Sequence, residues 1–111
     1  MDFKEYQKKA TKTAIFKGKQ KEDALLYVTL GVAGEVGELV NKVKKIIRDD
    51  EGVLTKEKAY EIQLEAGDVL WYISQIARLT GSTLEKVADM NIQKLLKRTK
   101  QGTIHGAGDH R

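Results

Sequence analysis

The chain has 111 residues, 41% of them hydrophobic and 32% charged, with 20 basic and 16 acidic side chains, no proline and no cysteine. That length holds one core and one domain, and the lack of cysteine excludes both a disulfide framework and a thiolate zinc site. A formal charge of +4 admits polyanionic ligands without demanding them. The opening MDFKEYQKKA is charged, and no run approaches the roughly 18 apolar residues of a membrane span. A soluble, cytoplasmic protein with no membrane partner is therefore expected.

Residues 2–16 place Phe3, Tyr6, Ala10 and Ala14 at helical spacing, which predicts a first helix stopped near Gly18. A second helix is predicted from about Asp23 to Arg48. Its apolar residues Leu25, Val28, Val32, Val36, Leu39, Val43 and Ile46 recur in steps of three and four, a long near-heptad stripe. The same helix carries Gly31, Gly34 and Gly37, and each glycine inside a helix costs roughly 0.5–1 kcal/mol relative to alanine.

RDDEGVLT then suits a turn at Gly52, with Thr55 as the cap of a third helix, Lys56 to Leu79, whose face is Ile62, Val69, Ile73 and Ile76. Gly81 ends that helix, and Ser82 or Thr83 caps a fourth running to about Lys100. The ending QGTIHGAGDHR reads as a glycine-rich tail. The fold class is all-α: an antiparallel bundle of about four helices over residues 1–100, with 101–111 as tail.

Two acidic pairs stand out, Glu35-x-x-Glu38 on the second helix and Glu65-x-x-Asp68 on the third. Residues three apart on a helix point roughly the same way. In an antiparallel hairpin, Glu38 opposite Glu65 and Glu35 opposite Asp68 share one midpoint, between Glu51 and Gly52, inside the turn assigned from composition. All four carboxylates are therefore expected in one layer. Carboxylates held together repel and raise one another's pKa unless a cation compensates. An all-oxygen set favours a hard ion, Mg²⁺ or Mn²⁺. A solvated acidic face is the plainer explanation of any single pair, and the shared midpoint is what argues against it here.

On the fourth helix Asn91, Lys94 and Arg98 share one face, the cationic complement a polyphosphate needs beside a metal. Taken alone, this lysine-rich segment is more simply a solvated basic flank. Trp71 and Tyr72 either stack on a base or fill the core. The bare strip of glycines allows a partner helix or a ligand to approach closely, and the sequence does not choose between them.

The segments GEVGELVNKVKK, EAGDVLWYISQIA and NIQKLLKR, with the ending GTIHGAGDHR, resemble the MazG-like all-α nucleoside triphosphate pyrophosphohydrolases over about residues 25–111. The resemblance implies hydrolysis of a (d)NTP to the monophosphate and pyrophosphate, with house-cleaning of noncanonical nucleotides as one role. It implies Mg²⁺ on Glu35, Glu38, Glu65 and Asp68, with Glu38 chosen as the residue acting on water. Nucleotide contact is implied for Asn91 and Lys94, extended to Arg98, and Trp71 is added as the stacking candidate. It also implies a homodimer or homotetramer assembled through helix–helix packing. The alternative is a non-enzymatic helical interaction or scaffold module that keeps the fold. Stable nucleic-acid binding is not expected, because the aromatics that single-strand binders interleave with their cations are missing.

Overall fold

The computed structural model describes residues 1–15 and 21–102. Four helices make up the described fold: α1 (Phe3–Thr11), α2 (Lys21–Asp49), α3 (Lys56–Leu79) and α4 (Leu84–Gln101). The expected stop at Gly18 and most of the tail, residues 103–111, lie outside the described residues.

Each described boundary has a local cause. The Asp2 carboxylate accepts from the Glu5 N–H at 2.8 Å and starts α1. Thr55 and Thr83 do the same for Lys58 and Lys86, each at 3.1 Å, so of the two candidates for α4 it is Thr83 that caps. Between α2 and α3, Glu51 (φ 54°) and Gly52 (φ 78°) both enter the left-handed region, which reverses the chain at the expected midpoint.

Helix α1 is shorter than the predicted 2–16. The Thr11 hydroxyl donates to the Gln7 carbonyl and the Thr13 hydroxyl to the Ala10 carbonyl, both at 2.7 Å. Past Thr11 the backbone bonds span three residues, from the Lys12, Thr13 and Ala14 N–H groups to the Lys9, Ala10 and Thr11 carbonyls, and the regular helix ends there.

The long hairpin α2–α3 is the backbone of the molecule, and α1 and α4 pack on α3 and on each other. No packing joins α4 to α2. Polar bonds do much of the fastening. The Gln7 amide donates to the Ser74 carbonyl at 3.0 Å, and its oxygen accepts the Leu84 N–H at 2.8 Å, so one side chain ties α1 to both α3 and the start of α4. The fully buried Gln75 donates to Ser74 Oγ and accepts from Arg78 Nε.

The predicted stripe on α2 is only partly covered. Val28 and Ile46 are buried, and Leu25, Val32 and Leu39 are half-buried. Val36, Val40, Val43 and Ile47 stay exposed, joined on α3 by Tyr60 and Leu64. One neighbouring helix can cover only one side of a stripe this broad. The radius of gyration, 16.9 Å, exceeds the about 13 Å typical of a compact chain of this length.

Candidate metal centre

The hairpin brings three of the four expected carboxylates together. One oxygen each from Glu35, Glu65 and Asp68 lie within 4.8 Å of one another. Glu35 and Glu65 are half-buried and Asp68 is exposed. Glu38, one turn along α2, is exposed and stands outside that set. Its charge still reaches it: burial first, then Asp68, Glu65 and Glu38, push the Glu35 carboxyl above the ordinary glutamate range. Among the described residues, no lysine or arginine forms an ion pair with any of the four. Hard oxygen donors without a compensating cation fit a divalent ion of the Mg²⁺ class.

Beside the carboxylates opens a cleft of about 340 Å³ lined by Glu35, Asp68, Trp71 and Tyr72. Trp71 is one turn beyond Asp68 on α3. Its indole N–H donates to Thr13 Oγ1 at 2.8 Å. The Trp71 and Tyr72 rings meet edge to face, centroids 4.9 Å apart at 84°. The Tyr72 ring also occupies the bare surface of Gly31: a Cβ there would overlap ring atom Cε1 and come within 2.6 Å of Cδ1 and Cζ. Around Gly34, Gly37 and Gly67 a Cβ would meet nothing within 4 Å. Of the two visitors the glycines allowed, an aromatic ring of the same chain fills the strip at Gly31, and the rest of it is open.

Two tyrosines also feel this centre: Tyr6, which the sequence did not assign to it, and Tyr72. Burial and then the Asp68 charge raise the Tyr6 phenol, which places α1 within electrostatic reach of the carboxylates. Burial, then Tyr27, Glu35 and Asp68, raise the Tyr72 phenol. Tyr6 and Thr13, seven residues apart on one face of the N-terminal segment, are the signal that could have flagged α1 as a wall of the site.

The basic residues of α4 are elsewhere. Asn91 and Lys94 line a separate cleft of about 270 Å³ with Val87 and Met90. Arg98 is only 6% exposed and lines neither cleft. Within one chain, then, the carboxylates and Trp71 converge, while Asn91, Lys94 and Arg98 do not join them.

No described helix is long and apolar enough to cross a membrane. The family profile described as "MazG nucleotide pyrophosphohydrolase domain" matches residues 22–103. Among characterised sequences, the chain is similar to "Gene 37 protein" of Mycobacterium phage L5, with 46% identity over 109 residues covering 96% of both chains. No solved structure gives a significant match.

Proposed function

Because the chain belongs to the MazG nucleotide pyrophosphohydrolase family, we propose that it hydrolyses a ribo- or deoxynucleoside triphosphate to the monophosphate and pyrophosphate, with Mg²⁺ or Mn²⁺ as cofactor. The observation that carries this reading is the set of three carboxylates from two helices, held within 4.8 Å and opening on an aromatic-walled cleft. A scaffold that only keeps the fold gives no reason to hold repelling groups together.

In this reading Glu35, Glu65 and Asp68 hold the cation. A divalent ion held by these carboxylates would supply positive charge to offset the negative charge that develops on the phosphates as the anhydride bond breaks. Glu38, exposed and outside the three-oxygen set, keeps its carboxylate for the attacking water, whose proton it accepts. Trp71 offers its ring to the base, and Tyr72 walls the cleft beside it. House-cleaning of noncanonical nucleotides is the role proposed.

The uncovered stripe supports a homodimer. Val36, Val40, Val43 and Ile47 step by four, three and four along α2, the spacing of a helix seam. Gly34 and Gly37 on the same helix leave room for close approach. We assign Asn91 and Lys94 to nucleotide contact on the family resemblance, since within one chain they line a cleft apart from the carboxylates. Arg98 is too deeply buried for such a contact and is left out of the proposed site.

The test is pyrophosphate release from each (d)NTP with Mg²⁺. Turnover that drops at least a hundredfold in Glu38→Gln supports the reading. No triphosphate turned over above background, with Glu38→Gln indistinguishable, ends it. For the assembly, Val40→Glu is expected to sediment as a monomer at a concentration where the unaltered chain is a dimer.

A further inference from the structure

We propose that Thr13 is a positioning residue, which holds the Trp71 indole as the platform for the nucleobase and so couples helix α1 to base recognition. The proposal rests on the nucleotide reading above and adds a residue to it.

Three observations carry it. The Thr13 hydroxyl has its proton committed to the Ala10 carbonyl at 2.7 Å. Its lone pairs are thereby turned outward, and one accepts the Trp71 N–H at 2.8 Å. A tryptophan side chain has two rotatable bonds, and this bond together with the Tyr72 edge contact removes most of that freedom. The indole is thus fixed in one orientation before any ligand arrives. A platform that is already oriented spares the ligand the entropy of ordering it.

The second observation is where the anchor sits. Thr13 follows the end of α1, and α1 is itself pinned to α3 and α4 by the two bonds of Gln7. The ring is therefore oriented from outside its own helix, by a segment fastened independently of the carboxylates.

The third is the position of the ring. Trp71 and Asp68 line the same cleft, one helical turn apart on α3. A ligand whose phosphates engage the carboxylate end has its flat, non-phosphate end directed toward the indole. Stacking of a base on an aromatic side chain tolerates any base, because each has a π-face. Thr13 thus acts on recognition of the base and not on the chemistry at the phosphates.

Trp71 is the chain's one tryptophan, so its fluorescence reports this site without labelling. The probes are a non-hydrolysable α,β-imido dNTP and inorganic tripolyphosphate, each with Mg²⁺. The dNTP analogue is expected to quench Trp71, and tripolyphosphate, which lacks a base, is not. In Thr13→Val, which keeps the branched shape and removes the oxygen, KM is expected to rise about fivefold with kcat held. That change corresponds to roughly 1 kcal/mol, the usual worth of one hydrogen bond. Thr13→Ser keeps the hydroxyl and should restore both KM and the quench.

Equal quenching by tripolyphosphate and the dNTP analogue, or a Thr13→Val protein with unaltered KM and quench, overturns the assignment. So does a loss confined to kcat. Turnover in the unaltered protein separates the two levels. If triphosphates are hydrolysed but Thr13→Val changes nothing, only the role of Thr13 falls. If nothing is hydrolysed yet the base-dependent quench persists and is lost in Thr13→Val, the platform stands and the hydrolase reading falls.

Discussion

The three glycines of α2 differ in what surrounds them, and an alanine at each should report that difference. In an exposed helix interior, glycine to alanine gains about 0.5–1 kcal/mol, because the unfolded chain loses freedom and the helix loses nothing. At Gly34 and Gly37 a new Cβ meets no atom within 4 Å of the chain, so each substitution should gain that full amount. At Gly31 the Cβ would overlap the Tyr72 ring. The ring is held by its edge contact with Trp71 and by α2 behind it, so it cannot swing clear without disturbing the cleft. Overpacking of this kind costs about 1–3 kcal/mol. Set against the helical gain, Gly31→Ala should lose roughly 1 kcal/mol net. Urea denaturation of the three variants, metal-free and dilute enough to keep the chain monomeric, measures this directly through midpoints at constant m. Gly31→Ala as stable as Gly34→Ala would refute the reasoning, since it would mean the Tyr72 ring does not occupy that surface.

Three further outcomes are expected. Glu35 binds its proton more tightly folded than unfolded, so the folded state carries more protons between the ordinary and the raised value. Metal-free stability should therefore be fullest below that window and fall as pH rises through it; urea midpoints across the acid range check this, and an unchanged slope in Glu35→Gln would contradict it. Mg²⁺ should raise the thermal midpoint by mass action, by the equivalent of about 2.7 kcal/mol at a hundred times its Kd. The double variant Glu35→Gln/Asp68→Asn should show no such rise, and a metal-insensitive parent would count against the centre. Gln7→Leu strands the Leu84 N–H and removes the second bond to the Ser74 carbonyl, which keeps its helical partner in α3; the loss should cost about 1–3 kcal/mol by urea denaturation. A neutral result would mean water replaces both bonds.

The hairpin and its register were legible because they depend on counting. The residues equidistant from Glu51–Gly52 could be named before any coordinate, and the left-handed pair sits at that midpoint. Thr55 was legible too, since capping is a property of a few adjacent residues. The end of α1 was not, because the shift to three-residue backbone bonds and the Thr13 bond to the Ala10 carbonyl leave no mark on an apolar pattern. The three-residue spacing aims Glu35 and Glu38 roughly the same way. It could not resolve the further rotation that leaves Glu38 outside the three-oxygen set. Spacing also placed Asn91, Lys94 and Arg98 together on α4; Asn91 and Lys94 line one cleft, but spacing could not reveal the burial of Arg98 or what α4 faces. Thr13 and Tyr6 were the least visible, because both reach the centre across more than fifty positions of sequence.

The turn at Glu51 and Gly52 works as a gauge. A non-glycine residue held at φ 54° gives up roughly 1–2 kcal/mol, and it does so about 20 Å along α2 from the carboxylates, counted at 1.5 Å per residue. Each residue added to or taken from that turn would slide α3 past α2, trading the facing of Glu35 and Asp68 for that of their neighbours. Length polymorphism at the far end of the hairpin would thus detune the centre without altering a single residue in it.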